Sequence, residues 1–125
     1  MNDLVQGIEG FHQVTVTETM LATTYGSGAI GVFATPAMIA LMEKTAMDSV
    51  AAFLPEGQTT VGTEVHVSHL KATKPGKNVR FRSVVARAEG RQLVFEVEAY
   101  EGETLIGSGT HTRFIVDIER FLAKI

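Results

Sequence analysis

One stretch limits what this chain can fold into more than any other. From Thr35-Pro36 to Phe53 most residues are apolar, with Met38, Ile39, Leu41, Met42, Met47 and Val50 spread around the helical wheel. Thr is a good N-cap, and Pro suits the first helical position because its missing N–H would have had no partner there. Pro55 and Gly57 supply the stop. The pattern predicts one long helix over Pro36–Phe53. A helix apolar on nearly every side belongs in an interior and needs covering all round.

The period then changes to two. Residues 59–73, 79–88, 93–100 and 105–117 read as strands. The turns between them are Lys74-Pro75-Gly76-Lys77, Glu89-Gly90-Arg91 and Glu101-Gly102-Glu103, and short turns imply an antiparallel meander. Before the helix, the alternating, β-branched run His12–Glu18 predicts a strand, and the glycine-bearing segment Ala22–Gly31 a loop. Ile118–Ile125 is a short tail with room for a helical turn. The expected class is α+β, with an antiparallel five-stranded sheet wrapped around one long buried helix. A flat sandwich ranks lower because it leaves half of an apolar helix wet. The 125 residues contain no repeat, low-complexity tract or linker, so a single domain over 1–125 is expected.

Bulk chemistry excludes several functions. The formal charge of −3 gives no global field for nucleic acid or anionic lipid. The absence of cysteine removes disulfides, thiolate metal sites and cysteine nucleophiles, and fits a reducing compartment. Met1–Gln6 lacks the basic start and apolar run of a signal peptide. The most apolar stretch, Val32–Leu54, carries Glu43, Lys44 and Asp48, which argues against a membrane span. The expected setting is cytoplasmic, with no nucleic acid, membrane, metal or cofactor partner.

Within the helix, Glu43 has Ile39, Ala46, Met47 and Val50 as face neighbours. A carboxylate on an apolar stripe loses hydration and gains proton affinity, which suits a general base. The bland reading pairs it with Lys44 or has it face a gap in the core; Lys44 is a poor partner, since adjacent residues point about 100° apart on a helix. Thr35 is explained as an N-cap, or else its hydroxyl stands at the helix N-terminus, where N–H groups favour a developing oxyanion. Eight residues apart, Thr35 and Glu43 lie about 12 Å from one another along the axis. A site using both therefore spans a substrate or needs the preceding chain to fold back.

His69 shares strand parity with Val61, Val65 and Val67 and so points to the apolar side, where a lone histidine is more often a core residue than a catalyst. His66 has the opposite parity, so the pair cannot chelate one metal from a regular strand. His111 and Arg113 share a face with Gly107 and Gly109. This is either a solvated outer face or space kept for a ligand or a neighbouring backbone. His12 reads as structural. Gly26-Ser27-Gly28-Ala29-Ile30-Gly31 matches a dinucleotide fingerprint in letters only, because the helix begins later, at Pro36. Lys71, Lys74, Lys77, Arg80 and Arg82 form either a solvated hairpin or a contact for the phosphates of a nucleotide-bearing ligand such as coenzyme A.

Three stretches together resemble the fluoroacetyl-CoA thioesterase-like branch of the hotdog superfamily. They are Val32–Glu43, Thr60-Val61-Gly62-Thr63 leading to His69-Leu70, and Gly107-Ser108-Gly109-Thr110-His111-Thr112-Arg113. The resemblance covers nearly the whole chain, with these stretches in the family's order. The resemblance implies a hotdog fold and a homodimer or larger assembly, with sites at the interface drawing on both chains. It implies a catalytic set of Thr35, Glu43 and His69. It also implies substrate contacts from Gly62, whose backbone lies by the thioester, and from Arg113 with its neighbour His111, placed for coenzyme A or the dimer interface. The chain departs from the family after Leu70, where it reads Lys71-Ala72-Thr73-Lys74-Pro75, and in Tyr25-Gly26-Ser27-Gly28-Ala29, which has little bulk for gripping a small fluorinated acyl group.

The function expected is hydrolysis of a short or medium acyl-CoA to free acid and coenzyme A. Either Thr35 attacks or Glu43 activates water, and His69 moves the proton. The alternative is a non-catalytic acyl-CoA-binding or sensing module of the same fold. Enoyl-thioester hydration ranks last, since it wants an Asp and His pair on the helix and no His lies within Pro36–Leu54.

Overall fold

The computed structural model describes residues 4–125. Met1–Asp3, half of the stretch read for a leader, lie outside the described residues. The elements in order are β1 (Glu9–Thr15), a 3-10 turn (Glu18–Met20), α1 (Ala22–Tyr25), α2 (Thr35–Ala51), β2 (Gln58–His69), β3 (Asn78–Glu89), β4 (Gln92–Glu101), β5 (Thr104–Asp117) and α3 (Ile118–Ala123). The five strands form one antiparallel sheet in the order β1-β3-β4-β5-β2. Helix α2 packs against β1, β2, β3 and β4. This is the expected hotdog arrangement of a sheet around one long helix. Among the described residues no helix is long and apolar enough to cross a membrane.

The expected meander holds only for β3, β4 and β5. Strand β2 pairs with β5 instead of β3, so it takes the opposite edge of the sheet from β1. The turn at Lys74–Lys77 exists, with Gly76 at φ +88 where a type II turn wants a glycine. It sits inside a crossing segment, however. Leu70 N–H donates to Ile106 O at 2.6 Å, Phe33 N–H to Thr73 O at 2.9 Å, and Gly76 N–H to Val16 O at 2.8 Å. These bonds end β2 at His69 and carry the chain across to β3.

Strand β1 starts and stops three residues before the expected His12–Glu18, because its pairing with β3 runs out at Thr15 opposite Asn78. The expected loop 22–31 begins with the single turn α1, closed by Gly26 in a left-handed conformation at φ +74. The first glycine of the supposed fingerprint is thus a helix cap.

The core forms where Met38, Met42, Ala46 and Val50 of α2 meet Val79, Phe81 and Val85 of β3, Leu93, Phe95 and Val97 of β4, and Ile106 of β5. Helix and sheet approach closely at Gly10, where a Cβ would stand 2.6 Å from Ser49 Cβ and 2.8 Å from Thr45 O. Irregularities at Gly62/Glu64, Val85/Arg87 and Ala99/Tyr100 bend the sheet around the helix.

The helix is not covered all round within the chain. Ala40, Lys44 and Asp48 are exposed, and Ile39, Leu41, Glu43 and Met47 are half-buried. Lys44 pairs with Asp48 at 3.0 Å, so it does not neutralise Glu43.

Candidate active site

Two clusters of polar side chains lie along α2, at its N-terminus and about two turns in. The first is built on Thr35. Phe33 and Ala34, both buried, enter the core, and Ala34 N–H donates to Met20 O at 2.9 Å. With its preceding residues tied down in this way, Thr35 takes the first helical position and Pro36 the second. The cap residue is Ala34, with no side-chain cap bond. This corrects the reading of Thr35 as an N-cap and frees its hydroxyl, which shares a 2.8 Å hydrogen bond with His69 Nδ1.

The His69 ring packs edge-on against Phe33 at 6.2 Å between centroids, and its Nε2 is buried without a hydrogen-bond partner. Burial pushes its pKa below the ordinary histidine value, favouring the neutral ring. Beside the pair lies a cleft of about 290 Å³ walled by Ala22, Ser27, Val32, Phe33, Pro36 and Leu70, with Lys71 and Ala72.

The second cluster is built on Arg113, buried on the inner face of β5 with only 5% of its surface exposed. Nε donates to Thr60 Oγ1 at 2.7 Å, Nη2 to Thr60 O at 2.8 Å, and Nη1 to His111 Nε2 at 3.1 Å. His111, stacked on Phe95, donates from Nδ1 to Glu64 O at 2.9 Å. Arg113 Nη1 can only donate, so Nε2 is the acceptor and the ring is neutral. Its pKa is lowered by burial first and by the Arg113 charge second. Burial likewise lowers the guanidinium below its usual value, against the pull of Glu43.

Glu43 Oε2 approaches Arg113 Nη1 at 3.9 Å and His111 Nε2 at 4.0 Å. Its side chain is 39% exposed, so the carboxylate is less dehydrated than its sequence neighbours imply. Gly62 completes the group. A Cβ there would stand 2.7 Å from Glu43 Oε2 and 3.1 Å from His111 Cε1.

The His111 and Arg113 face is therefore interior, and the glycines beside it make room for protein. Gly107 accommodates the Met38 side chain, and Gly109 the backbone of His66 and Val67. Gly62 and His69 share the inner face despite opposite parity because the bulge between Gly62 and Glu64 resets the alternation. Val61, paired with exposed Phe114, falls on the outer face and not on that of His69. His66 points outward, 3.2 Å from Glu64 Oε2. Thr60, the residue that grips Arg113, stands in the Thr60–Thr63 motif, but the sequence assigns it no role, since nothing local reveals the bulge that fixes its facing. Within the chain Thr35 pairs with His69 and Glu43 faces Gly62, His111 and Arg113; among the described residues no hydrogen bond or ion pair joins the two clusters.

A hydroxyl–imidazole pair at a helix N-terminus and a carboxylate held near a buried guanidinium suit acyl transfer. The family model described as fluoroacetyl-CoA-specific thioesterase, FlK, matches residues 16–119. The chain belongs to this thioesterase family. It is 40% identical over 94 residues to the fluoroacetyl-CoA thioesterase of Streptantibioticus cattleyicolor, covering 75% of this chain and 68% of that protein. A solved structure of the fluoroacetyl-CoA thioesterase FlK superposes with a TM-score of 0.92 at 32% identity, over 98% of this chain and 96% of that one. A thioesterase superfamily member from Thermus thermophilus gives a TM-score of 0.90 at 30% identity, over 99% and 92% of the two chains.

In this thioesterase the two neutral histidines, His111 buried and His69 half-buried, have a thermodynamic consequence. Both folded-state pKa values lie below the unfolded value of about 6.5, so the unfolded chain binds more protons as the pH falls past it. The stability they contribute is complete above about pH 6.5 and is lost as the pH falls through the folded values. Calorimetry should show Tm dropping from about pH 7 to pH 5.5, with a shallower slope in His111→Gln. A Tm independent of pH over that window contradicts the assignment.

Proposed function

We propose that this protein hydrolyses short- or medium-chain acyl-CoA thioesters to the free acid and coenzyme A. The observation that carries the reading is the Thr35–His69 hydrogen bond at the start of α2. N–H groups of a first helical turn lack helical partners and favour the negative charge that develops on a thioester oxygen. In one route Thr35 Oγ attacks the carbonyl carbon while His69 takes its proton and passes it to the departing coenzyme A thiolate. Water deprotonated by Glu43 then cleaves the threonyl ester. In the other, that water attacks the thioester directly, with Thr35 and His69 steering the proton to the thiolate. The apolar walls beside Thr35 suit an acyl chain, and Lys71 at their edge has no carboxylate partner among the described residues, which suits a phosphate-bearing substrate. The low bulk of Tyr25–Ala29 favours acyl groups larger than fluoroacetyl. We place this chemistry in the cytoplasm, in keeping with a chain without cysteine.

The working unit in this reading is a homodimer in which Thr35 and His69 of one chain meet Glu43, Gly62 and Arg113 of the other. Three features support it. Thr35 and Glu43 are separated by about 12 Å of helix. The 12-residue β2 is an edge strand, whose free side carries a row of unpaired backbone groups. Ile39 and Met47, on either side of Glu43, stay half-exposed.

Thiol release from a panel of acyl-CoAs tests the activity. Release that is fast for one chain class supports it, and binding without release moves the assignment to an acyl-CoA-binding module. Mixing inactive Thr35→Val and Glu43→Gln chains tests the dimer. Random exchange restores about a quarter of wild-type activity if each site draws on both chains, and none if each chain holds a complete site.

A further inference from the structure

We infer that Thr60 is a positioning residue for the hydrolysis. It fixes Arg113, and Arg113 in turn holds the Glu43 carboxylate over Gly62. The inference rests on the proposed thioesterase reading and adds to it a residue outside the Thr35, Glu43 and His69 set.

A guanidinium has five N–H donors in a rigid planar fork. Three of the five are spent on Thr60 Oγ1, Thr60 O and His111 Nε2, at 2.7, 2.8 and 3.1 Å. Two of those bonds go to one residue, so Thr60 sets both the plane and the reach of the fork. The third jaw, His111, is itself fixed, because the bulge after Gly62 turns the Glu64 carbonyl onto His111 Nδ1 at 2.9 Å. With three edges held, Nη1 stands 3.9 Å from Glu43 Oε2.

All the gripping partners are neutral. Among the described residues, Glu43 is the only carboxylate within 4.0 Å of this buried cation. The three hydrogen bonds offset much of the cost of burying the guanidinium, and its charge attracts the part-exposed carboxylate across 3.9 Å, which sets where the carboxylate sits while adding little to stability. Among the described residues none donates a hydrogen bond to the Glu43 side chain. Its orientation depends on the charge opposite, and the position of that charge depends on Thr60.

The test compares Thr60→Val, which keeps the shape and removes the acceptor, with Thr60→Ser, which keeps the hydroxyl. Each is assayed on the best acyl-CoA, with Tm measured alongside. We expect Thr60→Val to lower kcat about 10- to 100-fold, the loss typical of one hydrogen bond to a charged group, with KM little changed. Thr60→Ser should restore kcat to within about twofold of wild type. A residue that only stabilises the fold would lower Tm in Thr60→Val and leave kcat per folded enzyme intact, and that result overturns the inference. So does a Thr60→Ser variant as slow as Thr60→Val. Failure of the thioesterase reading shows separately, as a wild-type protein that releases no thiol from any acyl-CoA. The positioning role then falls with it.

Discussion

Glu43→Gln should lower kcat on the preferred acyl-CoA by about 10²- to 10⁴-fold, the range for loss of a positioned general base, while the fold survives. The asymmetry follows from how Glu43 is held. Its side chain is 39% exposed, and its nearest charged or polar side-chain neighbours stand at 3.9 and 4.0 Å, beyond hydrogen-bond distance. Little stability is invested in such contacts, and glutamine has the same shape. What the amide cannot do is take a proton from water. KM should change little, because the loss falls on the transition state more than on substrate binding. Thiol release and Tm, measured side by side, check both halves. Full activity of Glu43→Gln on every acyl-CoA tested removes the mechanism. A large drop in Tm means instead that the carboxylate is structural.

The same residue shows what a sequence can reveal. That Glu43 sits on α2 among apolar neighbours is a local fact, set by a rise and a turn angle, and the helix ended within two residues of expectation. Strands β3, β4 and β5 were equally local, because each is bounded by a glycine turn. The pairing of β2 with β5 was not. It depends on Leu70 and Lys71 turning to Ile106 and on Thr73 bonding Phe33, contacts between residues far apart in the chain. The bulge at Gly62/Glu64 is also invisible in the letters, although it decides which residues face inward for the rest of β2. Parity counted back from His69 put Val61 inside and passed over Thr60. The structure reverses both, and the grip on Arg113 appears only once the reversal is known. Thr35 failed as a cap for a related reason. Capping propensity describes an isolated helix end, whereas here a histidine from another strand takes the hydroxyl.

Two glycines of this site should respond to the same substitution in opposite ways. At Gly62 an added Cβ would stand 2.7 Å from Glu43 Oε2, 3.1 Å from His111 Cε1 and 3.4 Å from Arg113 Nη1. The closest of these is the end of a flexible side chain, which can swing toward solvent at little cost. The protein should therefore fold as Gly62→Ala with Tm nearly unchanged. Its carboxylate, however, is displaced by the order of an ångström, and a misplacement of that size can cost about 100-fold in rate. At Gly109 the added Cβ would collide with the backbone carbonyl of His66 and stand 2.6 Å from Val67 Cα. Backbone held in the β2–β5 ladder cannot swing away, so Gly109→Ala strains the sheet and costs about 1–3 kcal/mol or more. Activity per folded molecule should fall far less there than in Gly62→Ala. Urea unfolding and kcat on both variants give the comparison. If Gly62→Ala lost stability and kept its rate, Gly62 would be a packing residue and the carboxylate opposite it would not be the base. A rate lost without stability would tie the empty space at Gly62 to the placement of Glu43.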